Sequence, residues 1–301
     1  MSAHQDRRLL AIGARLASVI CLSLMFALVK LVGARGVNLV ESLFYRQALA
    51  IPLVLGWIAA GPGFGSLGTK RFGAHVWRSA VGMTGMALNF TTYLLLPLAE
   101  ATTILFSVPI FATILSALVL HEPTGRHRWA AVIVGFAGVV IVAQPGGHHA
   151  APLGVLVGVT ASVVVAAVSI TLRQIGKTES ATTTVFWFTI LSSAPLAVAM
   201  IHFGRWHDPA TMAMLVALGL LGGVAQLMLT VSLRLAPVSV VLPMDYSNLL
   251  WATLLGHALF GTFPTAATWI GAPIIVASGL YIVYREHRLH RERTAVASAG
   301  D

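Results

Sequence analysis

The stretch from Ala99 to Gly147, AEATTILFSVPIFATILSALVLHEPTGRHRWAAVIVGFAGVVIVAQPGG, decides the fold because a related stretch occurs a second time. The second copy, Ala236–Arg285, reads APVSVVLPMDYSNLLWATLLGHALFGTFPTAATWIGAPIIVASGLYIVYR. Each copy has a small-residue turn, an apolar run with a proline, a short break with another proline, and a second apolar run containing glycine. Such a repeat predicts a protein built from two similar halves.

The composition around these stretches excludes an ordinary soluble domain. Of 301 residues, 57% are hydrophobic and 10% are charged, whereas about a quarter of the residues in soluble domains are charged. The net charge of +9 comes from basic residues in short segments between apolar runs, which does not favour a nucleic-acid partner. A single cysteine, Cys21, excludes an intrachain disulfide. No metal-binding or phosphate-loop motif is present, so no cofactor is predicted.

The apolar runs have the length of membrane spans. A bilayer core about 30 Å thick needs roughly 20 apolar residues in a helix. Ten such runs occur, at about 10–32, 39–60, 76–97, 99–120, 128–144, 152–173, 181–202, 211–233, 238–260 and 267–284. They predict an all-α integral membrane protein with ten transmembrane helices and no separate soluble domain.

The loop charges predict the orientation in the membrane. With a cytoplasmic N-terminus, thirteen Arg and Lys residues fall in inside segments and only Arg35 and Arg205 fall outside. Positive residues concentrate on the cytoplasmic side of membrane proteins. Both termini are therefore expected in the cytoplasm.

Equivalent polar and small residues extend the repeat through the preceding helix. At the offset of 137 residues that aligns Ala99 with Ala236, Asn89 aligns with Gln226, and Gly82 and Gly85 also meet glycines. Five helices in each half force the halves into opposite orientations, as in the inverted repeats of secondary transporters. The predicted units are residues 9–147, residues 152–285, and a basic cytoplasmic tail, 286–301, that attracts anionic membrane lipid.

Over nearly its whole length the chain resembles the EamA-type repeat of the drug/metabolite transporter superfamily. The residues that carry the resemblance are Phe44-Tyr45-Arg46, Ser107-Val108-Pro109, Leu120-His121-Glu122, Gly135-Phe136-Ala137-Gly138, Leu242-Pro243, Asp245-Tyr246, Phe260-Gly261 and Gly279. The resemblance implies ten helices, a bacterial inner-membrane location, and export or uptake of small organic solutes. The chain departs from the family where an acid often follows Phe-Gly in the second half, because Thr262 stands there.

Charged residues at membrane depth are candidates for function because they are costly to place there. Arg46 lies about 10 Å into its predicted helix at 1.5 Å per residue. It is a candidate substrate-binding residue, and the alternative is a structural bond to neighbouring carbonyls or to Glu41. Lys30 and Glu41 are expected to extend to the outer surface.

Asp245 is the second deep charge, and it follows a proline that loosens the helix. Its carboxylate is a candidate for proton coupling, with Tyr246 and Asn248 beside it as candidate substrate contacts. The alternative is a salt bridge or polar contact to another helix. Pro109, in the first half, predicts a kink without an adjacent charge.

Four further residues are candidates to line a substrate cavity. Asn89 and Gln226 occupy equivalent positions in the halves, where amides can either bind a polar solute or hold helices together. Tyr93 lies one turn after Asn89 on the same helix face. Trp187 lies in the helix that corresponds to the one with Arg46, and the alternative for it is packing or lipid contact.

These features predict a secondary transporter that moves a small organic metabolite by alternating access, with proton coupling through Asp245. A membrane scaffold or receptor is the alternative, and an intramembrane enzyme is disfavoured because no nucleophile or metal cluster is visible. The substrate classes compatible with the sequence are amino acids, nucleoside-like metabolites, vitamins such as riboflavin, and drugs. The expected assembly is a monomer or a homodimer.

Overall fold

The computed structural model describes residues 3–61, 63–119, 125–144, 151–236 and 238–298, and within these ranges the regular structure is entirely helical. The α-helices are α1 Ala3–Ala34, α2 Leu39–Ala48, α3 Ala50–Ala60, α4 Phe72–Leu95, α5 Leu98–Leu105, α6 Val108–Val119, α7 Arg126–Ala143, α8 Pro152–Ile175, α9 Ala181–Phe203, α10 Pro209–Leu235, α11 Val238–Val241, α12 Ser247–Phe260 and α13 Ala266–Ser298. Two 3-10 helices span Phe64–Leu67 and Leu242–Tyr246. The sequence Leu120-His121-Glu122 lies outside the described residues.

Within the described ranges, eight stretches are long and apolar enough to cross a membrane. They are Arg7–Ala34, Leu39–Ala60, Leu98–Val119, Arg126–Ala143, Pro152–Ile175, Ala181–Phe203, Pro209–Leu235 and Ala266–Arg285. The chain is therefore a multi-pass helical membrane protein. The other two predicted spans correspond to α4 and to the broken segment α11–α12, so the count of ten spans stays a prediction.

Prolines interrupt two helices at equivalent places in the two halves. The break between α5 and α6 falls just before Pro109, and the 3-10 helix between α11 and α12 contains Pro243. A proline removes a backbone donor and its ring clashes with the preceding turn, which favours an interruption at both places, although α9 and α13 continue past Pro195 and Pro273. The breaks contact each other, because the rings of Phe106 and Tyr246 lie 5.0 Å apart in an edge-to-face arrangement.

Helices from different halves of the chain pair side by side. The most extensive pairs are α1 with α10, α4 with α8, and α7 with α13. Glycines allow the close approach in the last pair: a Cβ built on Gly138 would lie 2.9 Å from Ile275 Cγ1 and 3.1 Å from the Gly271 carbonyl oxygen. Small residues at helix interfaces have this role in membrane proteins.

The expectation that Glu41 extends to the surface is wrong, whereas Lys30 is partly exposed and its approach to the surface stays a prediction. Glu41 is 1% exposed, since its carboxylate accepts from the backbone N–H of Asn38 at the start of α2 and from the N–H of Arg205. The Lys30 Nζ donates to the carbonyls of Leu96 and Tyr93, at 2.8 and 3.2 Å. Helix ends leave backbone groups unpaired, and these groups offer both charges partners inside the protein.

Candidate functional site

An ion pair joins the first helix to the broken segment of the second half. Arg15, on α1, donates from Nε and Nη2 to the two carboxylate oxygens of Asp245. The exposed fractions of these side chains are 11% and 28%. A two-point guanidinium–carboxylate pair combines charge with fixed geometry. The structure thus places Asp245 in the salt bridge that was the alternative to its role in proton coupling.

Polar and aromatic contacts continue from this pair along α1. The Ser23 hydroxyl donates to Asn248 Oδ1. Three residues later, Phe26 stacks on Tyr93 with ring centroids 4.1 Å apart. The Tyr93 hydroxyl lies 3.2 Å from the Thr102 hydroxyl, and the ring is almost fully buried. The structure therefore brings Tyr93, Asn248 and Asp245 together along one side of α1.

Tyr246 packs among apolar groups at the break in the second half. Its hydroxyl lies against Gly279 so closely that a Cβ on this glycine would collide with it. Phe106 covers its ring. Tyr246 lies next to the ion pair, and its contact with substrate stays a prediction.

Arg46, on α2, packs against α10. Its Nη1 donates to Gln47 Oε1, while its Nε has no partner. Opposite it, a Cβ on Gly222 would lie 3.1 Å from Arg46 Cγ and 3.4 Å from Nε. Glu41, the suggested structural partner, instead lies 3.0 Å from the ring of His207.

Asn89 and Gln226 are both half-buried, on α4 and α10. The Oδ1 of Asn89 is buried and has no partner. Trp187 is not part of either cluster, because its Nε1 donates to the Leu67 carbonyl at 3.2 Å and its ring packs against Phe72. The structure therefore places Trp187 near the loop before α4 and brings it together with none of the other candidates.

Sequence reasoning missed two arginines, Arg15 and Arg78. Arg78 lies on α4, with its guanidinium 4.0 Å from the centroid of the Phe188 ring. Both fall inside predicted spans, so the rule that singled out Arg46 applied to them as well. No group of three or more His, Cys, Asp or Glu residues among the described ones is arranged to hold a metal.

Side chains tie the two halves together at both ends of the bundle. At one end, the α1–α2 turn meets the α9–α10 loop. There the Arg205 backbone nitrogen donates to Glu41 Oε1 at 2.8 Å, and Arg35 Nη1 donates to the Thr211 hydroxyl at 3.1 Å. At the other end, the segment before α4 meets the α8–α9 loop. There the Thr69 hydroxyl donates to Glu179 Oε1 at 2.8 Å. The other carboxylate oxygen of Glu179, Oε2, lies 3.9 Å from His75 Nε2.

A bundle of apolar spans with buried charges between helices from both halves defines a multi-pass membrane protein with an internal polar site. Comparison with known proteins identifies its family. The EamA-like transporter family matches residues 9–144 and again 152–284. The chain belongs to this family, and is therefore a transporter rather than an enzyme.

Curated relatives match over most of their length. The riboflavin transporter of Vibrio cholerae serotype O1 is 28% identical over 254 residues, which cover 84% of this chain and 85% of that protein. The S-adenosylmethionine uptake transporter of Rickettsia bellii is 27% identical over 247 residues, covering 81% and 82%. A solved crystal structure with 21% identity superposes with a TM-score of 0.60, covering 91% of this chain and 98% of its own, which supports the fold alone.

Proposed function

We propose that this protein is a secondary transporter that moves a small organic metabolite across the bacterial inner membrane by alternating access. The observation that carries the proposal is the family match over both halves, together with relatives named as metabolite transporters. The relatives carry different solutes, so the names support the class of substrate and not its identity.

The proposed architecture is ten spans in two inverted repeats, residues 9–147 and 152–285, with both termini in the cytoplasm. The helix pairs support it. With α2–α3, α5–α6 and α11–α12 each counted as one span, α1 packs against the eighth span and α4 against the sixth. A two-fold axis that exchanges the halves converts the first pair into the second. The same axis exchanges the loop contacts at the two ends of the bundle, and it maps the broken fourth span onto the broken ninth.

This architecture suggests where the solute binds. In inverted-repeat transporters the site lies near the middle of the membrane, at discontinuous helices between the repeats. Here the contact of Phe106 with Tyr246 joins the two discontinuous spans. We propose Arg46, Asn89, Tyr93, Gln226, Tyr246 and Asn248 as the substrate contacts.

The Arg15–Asp245 pair is proposed as the element that couples transport to protons. It connects α1 to the second half, as does Ser23 with Asn248. When the halves separate, Asp245 loses the guanidinium that favours its ionised form. A carboxylate left in apolar surroundings favours protonation. Asp245 would therefore bind a proton when the halves separate at this pair and release it when they come together again.

Flux measurements in proteoliposomes test the function. Uptake of amino acids, nucleosides, vitamins and organic anions is compared with protein-free liposomes, with and without a pH gradient. At least one solute should be transported saturably. Absence of protein-dependent flux for every solute, with folded protein in the membrane, would instead favour the receptor or scaffold.

A variant tests the coupling separately. Asp245→Asn should retain exchange of the solute on the two sides of the membrane but lose the dependence of net flux on the pH gradient. Asp208→Asn, which alters an exposed carboxylate at the start of α10, is the matched control and should leave the gradient dependence intact. If Asp245→Asn transports with unchanged gradient dependence, Asp245 has no role in coupling.

A further inference from the structure

Two arginines lie on neighbouring helices inside the bundle, Arg46 on α2 and Arg78 on α4. The two helices contact each other beside these residues, because Gln47 Nε2 lies 4.0 Å from Met83 Sδ, and the two positive charges are close enough to repel each other. Arg46 packs against α10 at Gly222, and Arg78 lies over the ring of Phe188 on α9. Four helices, from both halves of the chain, thus surround one pair of guanidinium groups.

A glycine directs Arg78 toward the interior. Gly82 follows Arg78 by one helical turn, and a Cβ built there would collide with Arg78 Nη1. Because Gly82 has no side chain, the guanidinium can lie along α4 and point away from the N-terminal end of this helix at Phe72. Arg78 is the seventh residue of α4, about 9 Å from that end at 1.5 Å per residue. Its side chain therefore extends into the bundle, where its Nε and Nη1 are buried.

No acid whose side chain the structure describes is paired with these charges. Each of these acids has another partner: Glu41 pairs with His207, Glu179 lies beside His75, Asp208 bonds to Thr211, Asp245 pairs with Arg15, and the charge of Glu100 acts on Lys30. Arg46 bonds to the neutral amide of Gln47. Its Nε and the Nε and Nη1 of Arg78 are buried without hydrogen-bond partners.

A purely structural role does not account for this arrangement. Guanidinium groups stay protonated at any working pH, and the cost of burying a charge is large unless it is paired. The cation–π contact of Arg78 with Phe188 stabilises the charge by a small amount compared with that cost. Repulsion between the two groups adds to the cost. An anion between them would remove both penalties.

We propose that Arg46 and Arg78 bind a doubly negative head group of the transported solute, either a phosphate monoester or a dicarboxylate. This inference rests on the proposed transport function. Two guanidinium groups match two negative charges, and each can form two parallel hydrogen bonds to an oxyanion. Asn89 lies on the same face of α4 as Arg78, Gly82 and Gly85, by the spacing of helical turns. Its buried Oδ1 would accept a hydrogen bond from the remainder of the solute.

Thermal unfolding in a neutral detergent tests this site without requiring flux. The probes are glycerol 3-phosphate and succinate, with glycerol and succinamide as uncharged analogues. One or both anions should raise the unfolding temperature in a concentration-dependent manner, while the uncharged analogues should not. The anion that acts identifies which head group the site binds.

Substitutions locate the effect. Arg46→Gln and Arg78→Gln should each weaken the anion affinity at least about tenfold, since each removes charge-assisted hydrogen bonds. Arg71→Gln, at the exposed start of α4, is the matched control and should retain the affinity. If a glutamine variant does not fold, Arg46→Lys or Arg78→Lys keeps the charge but removes the planar fork, and should still weaken binding.

The outcomes separate this inference from the proposed function. Failure of both anions to stabilise the protein, or stabilisation that both arginine variants retain, overturns the two-arginine site. In that case, transport of an uncharged solute in liposomes would still support the proposed transport function, although the two-arginine site would be wrong. Anion binding lost in the variants, with no flux of any solute, would keep the site and overturn the transport function.

Discussion

The ion pair of Arg15 and Asp245 should be strongly coupled in a double-mutant cycle. Removing one partner of a buried pair costs about 3–5 kcal/mol because the other charge is left unpaired. The 28% exposure of the Asp245 side chain allows some hydration, so the single variants Arg15→Gln and Asp245→Asn should each lose about 3 kcal/mol, at the lower end of that range.

The double variant should be more stable than the sum of the single losses predicts. Glutamine and asparagine leave no buried charge and can form a hydrogen bond to each other, so the double variant should lose only about 1–2 kcal/mol. The expected coupling energy is therefore about 4–5 kcal/mol, above the usual range of about 0.5–3 kcal/mol for residues in contact, because each single variant leaves a buried charge unpaired. Denaturant titration of the purified protein in mixed micelles, followed by far-ultraviolet circular dichroism, measures each free energy of unfolding.

An exposed pair supplies the control for this cycle. Arg35 and Asp208 lie 3.8 Å apart, with side chains 44% and 60% exposed. Their cycle, with Arg35→Gln and Asp208→Asn, should show no measurable coupling because surface pairs are hydrated and screened. Additive losses at Arg15 and Asp245, with coupling below about 0.5 kcal/mol, would show that the two charges do not depend on each other.

Three further predictions follow from the topology, the packing and a helix cap. In a cysteine-free background, Trp206→Cys should react with an impermeant thiol reagent from the periplasm and Lys177→Cys only from the cytoplasm; the reverse pattern would contradict the orientation. Gly138→Leu should lower the free energy of unfolding, measured by denaturant titration, by about 1–3 kcal/mol through overpacking against α13. The control Gly13→Leu has open space around it and should not lower it, so equal losses would argue against the close α7–α13 contact. The hydrogen bond from the Thr211 hydroxyl holds the pKa of Asp208 below its usual value, so this cap stabilises the fold above about pH 4 and its contribution is lost as the pH falls. Asp208→Ala should therefore lower the unfolding temperature at pH 7. An equal loss at pH 3 would show that the charge of Asp208 does not contribute to the stability.

The helical class and the two helix breaks could be predicted from the sequence because apolar run length and proline act locally. Pro109 and Pro243 lie at the two breaks, where each removes a backbone donor from its helix, whereas Pro195 and Pro273 lie inside continuous helices. Helix ends were less predictable: the charge of Glu41 suggested the surface, yet the folded chain brings the Arg205 backbone and His207 to its carboxylate.

Partners from distant parts of the chain could not be predicted. Arg15 stands 230 residues from Asp245, and periodicity carries no information about a pairing at that separation. The position of Trp187 likewise depends on a carbonyl of the loop before α4. Depth alone did identify Arg46, and the same rule applied to every predicted span would have identified Arg15 and Arg78.

A reversible cross-link between α1 and α12 tests alternating access most directly. Ser23 and Asn248 contact each other in the observed conformation, so Ser23→Cys with Asn248→Cys in a cysteine-free background should form a disulfide on oxidation. If transport requires these helices to separate, oxidation should stop the solute flux of the double-cysteine variant in proteoliposomes, and reduction should restore it. Because Asn248 is a proposed substrate contact, each single-cysteine variant is compared with its own reduced state, and oxidation should not change its flux. Full flux through the oxidised, cross-linked protein would contradict transport by this movement.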